Sequence, residues 1–153
     1  MNLKTVNPYT NKEIYTYSFY SNKKINSIIE DTYSSYAYWK EVSFKDRKLL
    51  LLNISKNLKK NSLQYGKLIT NEMGKPISES VAEIEKCALV CNYYAENADF
   101  FLKSKHIKTE NSKSYVQYDP IGIIFGIMPW NFPFWQVFRF IVPALMAGNV
   151  CLL

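Results

Sequence analysis

The chain has 153 residues, 48% of them hydrophobic and 21% charged, a composition that fits one ordinary globular domain and argues against disorder along its length. Its net charge of +6 comes from lysines placed singly or in pairs, such as Lys23-Lys24 and Lys59-Lys60, so no basic block interleaved with aromatics offers itself to a nucleic acid. Cys87, Cys91 and Cys151 lack paired CxxC spacing and are odd in number, which speaks against a zinc site or a disulfide framework and points to a reducing cytoplasm.

Met1 to Thr5 carries no apolar run of the kind a secretory signal needs. Strand-forming residues in Leu3 to Val6 and Ile14 to Phe19 flank Asn7-Pro8-Tyr9-Thr10-Asn11, predicting a hairpin or a pair of edge strands. Ser21 is placed to cap a helix whose Ile25, Ile28, Ile29, Thr32, Tyr33, Tyr36 and Ala37 share one side. Ser43 followed by Asp46 resembles a capping box, with Leu50, Leu51, Ile54 and Leu58 as the buried stripe behind it. A third helix starts at Ser62, carries Leu63, Leu68, Ile69 and Met73, and meets Gly74, which can adopt the left-handed conformation that closes a helix. Lys75-Pro76 opens a fourth, in which Ile77, Val81, Ile84, Ala88, Cys91, Ala95, Ala98 and Leu102 lie alternately four and three apart over about seven turns. Small residues at Ala88, Cys91, Ala95 and Ala98 predict a close neighbour, and packing across a sheet is expected.

From Lys105 the period changes to two, with Ser114, Val116 and Tyr118 alternating until Asp119-Pro120 breaks the run. Ile121 to Met128 is apolar on both faces, as in a central strand covered by helices on each side. Phe134 to Gly148 reads as a helix and Asn149 to Leu153 as a second buried strand, which together make one parallel crossover unit. The chain is therefore read as an α/β protein, with a helical and extended region over 1–119 and the first β-α-β unit of a nucleotide-binding sheet over 120–153. The apolar run from Ile121 to Leu153 is long enough for a bilayer and holds one charge, Arg139, but prolines at 120, 129, 133 and 143 oppose a continuous helix, so a soluble protein is preferred over a membrane anchor.

Chemistry concentrates in Phe125 to Phe134, a loop stiffened by Pro129 and Pro133 at the carboxyl end of a strand, where open α/β sheets bind ligands. Asn131 supplies its one amide side chain, able to donate a hydrogen bond to an oxygen that turns negative as a carbonyl is attacked. A loop asparagine also commonly bonds its own backbone, and both readings stand at this point. His106, beside Lys105 and Lys108, reads as a solvated strand entry, and Arg139 as an ion-paired or hydrogen-bonded helix residue. Cys87 and Cys91 sit on a packing stripe with no base nearby and no further ligands, so neither a nucleophile nor a metal site is assigned to them. Gly122 and Gly126 fit no GxGxxG fingerprint.

Ile127-Met128-Pro129-Trp130-Asn131-Phe132-Pro133, followed by Pro143-Ala144-Leu145-Met146-Ala147-Gly148-Asn149, closely resembles the signature of aldehyde dehydrogenases. Val6 to Ile14 and Asn71 to Ser80 agree with it, and the latter, running on through Glu85-Lys86-Cys87 and Tyr93 to Asn97, resembles the succinate-semialdehyde dehydrogenase branch. The resemblance implies oxidation of an aldehyde to an acid with NAD or NADP through a thiohemiacetal on a catalytic cysteine. It makes Asn131 the oxyanion-hole amide and places Ile127, Met128, Pro129, Trp130 and Asn131 in the loop that lines the cofactor. It also implies a homo-oligomer, since the family's small oligomerisation sheet would include the strand near Ser114 to Tyr118. The chain stops at Leu153, before the family's ribose-holding lysine, general-base glutamate and nucleophilic cysteine, so the catalytic domain is expected to be absent and these residues alone to be inactive and poorly soluble. The alternative is a non-catalytic truncated product or an interaction module that keeps the oligomerisation elements.

Overall fold

Short polar residues set the boundaries of the helical part. The computed structural model describes residues 2–153. β1 (Asn2–Val6) and β2 (Glu13–Ser18) pair antiparallel, and Asn7 Oδ1 ties the turn between them by accepting from the amides of Tyr9 at 2.9 Å and Thr10 at 3.0 Å. α1 (Asn22–Trp39) begins at Ser21, whose hydroxyl accepts from the Lys24 amide at 3.2 Å. α2 (Phe44–Lys60) begins at Ser43, whose hydroxyl accepts from the Asp46 amide at 3.2 Å and donates to the Asp46 carboxylate at 2.7 Å. Both caps serve first-turn amides that have no partner inside the helix. α3 (Ser62–Met73) closes on Gly74 at φ +79°, where a Cβ would also lie 2.9 Å from the Pro8 ring.

α4 (Ile77–Leu102) runs through the centre of the molecule with Ile84, Cys87, Ala88, Cys91, Ala95 and Ala98 buried. Its neighbours are α2, α3 and α5 (Pro133–Met146), three helices, which corrects the expectation that it packs across a sheet. The small residues serve close helix-to-helix approach instead: Ser55 of α2 donates to the Ala88 carbonyl at 2.9 Å, and a Cβ on Gly66 of α3 would lie 2.8 Å from a Val81 methyl. In α2 the buried line is Leu51, Ser55 and Leu58, while Leu50 of the expected stripe is exposed.

An exposed antiparallel pair, β3 (Lys105–His106) and β4 (Tyr115–Val116), follows α4. β5 (Ile123–Phe125), α5 and β6 (Val150–Leu152) then form the crossover: the two strands are parallel, with Ile123 opposite Val150 and Phe125 opposite Leu152. Only three residues of the eight-residue apolar run are strand, and Phe125 and Ile127 are exposed. The ladder reaches from the Gly122 carbonyl to the Gly126 amide, both bonded to the β6 side; among the described residues no third strand extends it, while α1 packs against both strands and α5 against β6. Pro143 lies inside α5, which continues past it to Met146.

Side chains from both parts close the crossover unit. Asn149 Oδ1 accepts from the amides of Ile121 at 2.7 Å and Gly122 at 3.0 Å, and the Tyr36 hydroxyl donates to the Pro120 carbonyl at 3.2 Å. Arg47 is buried and donates from Nη1 to the Met146 carbonyl at 3.0 Å and from Nη2 to those of Trp39 at 3.2 Å and Lys40 at 2.9 Å. One guanidinium thus satisfies carbonyls at the ends of both α1 and α5. Gly148, at φ +85°, leaves it room, since a Cβ there would stand 3.0 Å from Nη2. The core is continuous through both parts, Leu51, Leu58 and Ile69 belonging to the same buried cluster as Val142 and Met146. Among the described residues no helix is long and apolar enough to cross a membrane.

Candidate functional site

A connection of seven residues, 126–132, leads from the carboxyl end of β5 into α5. Pro133 starts the helix, where the proline's missing N–H has no partner to lose. α5 has no side-chain cap of its own. Its cap comes from α4: Glu83 Oε1 accepts from the amides of Phe134 at 2.9 Å and Trp135 at 3.0 Å. Glu83 Oε2 accepts from Lys75 Nζ at 2.5 Å, and both side chains are almost wholly buried, at 2% and 5% exposure. The same ammonium stands 3.6 Å from the centre of the Phe132 ring, while Lys86 Nζ lies 4.0 Å from that of Trp135.

Asn131 occupies the exposed turn between these anchors. Its side chain makes no hydrogen bond among the described residues, unlike Asn7 and Asn149, whose amides are engaged with nearby backbone. The self-bonded loop asparagine is therefore not what the turn displays. Of the other residues expected here, Ile127 and Trp130 are 84% and 78% exposed, Pro129 is exposed, and Met128 is half-buried. Met128 folds over Gly126, where a Cβ would lie 2.8 Å from its methyl and 2.7 Å from the Phe140 ring. Trp130, Pro133 and Phe134 also border an open cavity of about 510 Å³ that Pro8 and Glu72 help to line.

The cysteines are placed as packing residues. Cys87 and Cys91 are fully buried in α4, and burial pushes both thiols up to about 12, the Glu83 carboxylate adding to the effect at Cys87. Cys151 in β6 is half-buried and its thiol is raised by burial as well. A thiol held protonated is no nucleophile. Native protein at pH 8 should therefore leave Cys87 and Cys91 unlabelled by iodoacetamide over a time in which denatured protein is modified completely, and rapid native labelling of either would contradict this placement. Thiols raised from 9.0 to about 12 ionise more readily in the unfolded chain, so the stability linked to them is intact below pH 9 and is lost as pH climbs from there towards 12.

His106 is exposed on the short β3 strand. Arg139 is exposed on α5 and, among the described residues, forms neither the ion pair nor the hydrogen bond expected of it. Lys75 and Glu83, the groups that hold the turn, escaped the sequence reading. A signal for them exists: Glu83 adjoins Ile84 on the packed side of α4, and a carboxylate there requires a partner, which Lys75 provides from eight residues away.

Residues 1–153 match the aldehyde dehydrogenase family. A probable succinate-semialdehyde dehydrogenase (NADP+) of Synechocystis is 40% identical over 153 residues, all of this chain and 34% of the relative. The NAD(P)+ succinate semialdehyde dehydrogenase Sad of Escherichia coli is 36% identical over 149 residues, 97% of this chain and 32% of the relative. The chain thus spans about a third of the length of these curated relatives. Among solved structures, the succinic semialdehyde dehydrogenase of Streptococcus pyogenes in complex with NADP+ superposes with a TM-score of 0.92 at 30% identity, over 97% of this chain and 33% of that one.

Proposed function

The chain belongs to the aldehyde dehydrogenase family, and on that premise we propose that it supplies the oxyanion-binding and cofactor-lining part of an enzyme that oxidises succinate semialdehyde to the acid with NAD or NADP. The observation that carries this is the free, exposed amide of Asn131 at the carboxyl end of β5, braced by Pro129 and Pro133. When a nucleophile adds to the aldehyde carbon, the carbonyl oxygen gains negative charge, and the Asn131 Nδ2–H donates to it. That bond strengthens as charge develops, so it lowers the barrier more than it tightens binding.

The residues also suit a dinucleotide. The backbone groups of Ile127, Met128 and Trp130 make no hydrogen bond among the described residues, and Ile127 and Trp130 turn apolar surface outward, which fits ribose hydroxyls and a flat ring. A bound NAD or NADP supplies the hydride acceptor. Residues 120–153 then read as the opening of the cofactor-binding sheet, with 1–119 as the helical part and the β3–β4 hairpin as a contact between subunits of a cytoplasmic homo-oligomer. Nucleophile and general base come from outside these residues, in keeping with the closed, protonated state of Cys87 and Cys91.

Succinate semialdehyde carries a carboxylate, and Arg139 is a free guanidinium on the helix that leaves the Asn131 turn. Arg139 is therefore read as its partner. A chimera that joins residues 1–153 to the remaining two thirds of the Synechocystis relative tests the whole proposal. It should form NAD(P)H from succinate semialdehyde, while residues 1–153 alone should not. In the chimera Arg139→Gln should raise KM for the carboxylated aldehyde by about tenfold or more and leave that for an uncharged aldehyde of the same length nearly unchanged. Turnover by residues 1–153 alone, or a folded chimera with none, counts against the proposal, and equal effects on the two aldehydes count against the Arg139 assignment.

A further inference from the structure

We propose that Lys75 and Glu83 are a pair of positioning residues that hold Asn131 in the attitude its donor role requires; this rests on the oxyanion reading of Asn131. Both oxygens of Glu83 are engaged, Oε1 by the Phe134 and Trp135 amides and Oε2 by the Lys75 ammonium. A buried carboxylate with three donors cannot shift without leaving charge or amides unpaired, so it fixes the first turn of α5 to α4. The Lys75 ammonium then grips Phe132, the residue that follows Asn131, from 3.6 Å above its ring. Lys75 is itself placed by the left-handed Gly74 before it and by Pro76, the N-cap of α4, after it.

Residues 132, 134 and 135 are thus clamped by one ion pair, whose Lys75 stands at the α3–α4 junction and whose Glu83 stands within α4, and Pro129 limits the turn from the other side. Asn131 lies between the two restraints. Stability alone gives little reason for this pair, because a buried ion pair is commonly no more stabilising than hydrocarbon of the same volume. What hydrocarbon cannot supply is direction: an oxygen aimed at two amides and a cation centred on one ring. Precise placement of a single donor matters to turnover, since small displacements of a catalytic group cost disproportionately.

The test uses the chimera. Lys75→Met with Glu83→Leu removes both charges together and keeps the space filled. Its kcat should fall about tenfold, with KM for aldehyde and cofactor within about twofold, while in an Asn131→Ala background the same double change should lower kcat less than about twofold. Glu83→Asp, which keeps the charge and shortens the reach, carries the same expectations if the double variant does not fold. An unchanged kcat in a chimera that Asn131→Ala does impair overturns the positioning role and leaves the donor reading intact. Equal losses with and without Asn131, or a loss expressed in KM, overturn it too, because either marks a general structural effect. Turnover that survives Asn131→Ala removes the donor reading itself and this proposal with it.

Discussion

Asn131→Ala in the chimera lowers kcat by about a hundredfold or more and leaves KM for the aldehyde near its original value. The ground-state aldehyde oxygen is a modest acceptor, so it loses little when the donor goes. The tetrahedral oxyanion is a strong one, and Asn131 is the one amide side chain between Phe125 and Phe134. Asn131→Asp separates donation from size: it keeps the shape, removes the donors and brings a negative charge towards the developing one, so it should be at least as damaging as Ala. A chimera that binds cofactor and turns over normally with either substitution would remove Asn131 from the reaction.

The second large effect is on the fold. Arg47→Leu should weaken the junction of α1, α2 and α5 by about 3 kcal/mol or more, because three carbonyls lose a charged donor within a packed region. Hydrogen exchange on the chimera reads it locally: amides at the end of α5 and at Gly148 to Val150 should exchange about a hundredfold faster. Arg47→Lys should recover only part of the protection, since one ammonium cannot reproduce the fork that spans Met146, Trp39 and Lys40. Unaltered exchange in Arg47→Leu would mean that the contacts of Trp39, whose indole N–H reaches the Leu145 carbonyl at 3.0 Å, hold the junction without the guanidinium.

What could be read from sequence was local. Ser21, Ser43 and Gly74 mark helix ends through bonds formed within a few residues, and the four-three spacing of α4 follows from the pitch of the helix itself. The candidate site was legible as a turn, because Pro129 and Pro133 bracket an amide at the end of an apolar run. Its support was not. Glu83 meets amides 51 and 52 residues further on, and backbone amides carry no mark in a sequence of who will accept from them. Arg47 escaped for the same reason, its partners being three main-chain carbonyls, one of them 99 residues away. The length of β5 was overread because apolar residues reveal a tendency to be covered, whereas a strand lasts only as far as its neighbours bond to it.

The carboxylate at the start of α5 also decides where a dinucleotide cannot put its charge. In many nucleotide-binding sheets the helix after the first strand turns its free amides on the pyrophosphate, which glycines allow to come close. Here the amides of Phe134 and Trp135 are filled by an anion of the protein's own. A pyrophosphate drawn towards that dipole would face like charge instead of vacant donors, so under the proposed cofactor role it would have to be neutralised elsewhere, and Ile127 to Trp130 would meet the uncharged portion of the molecule.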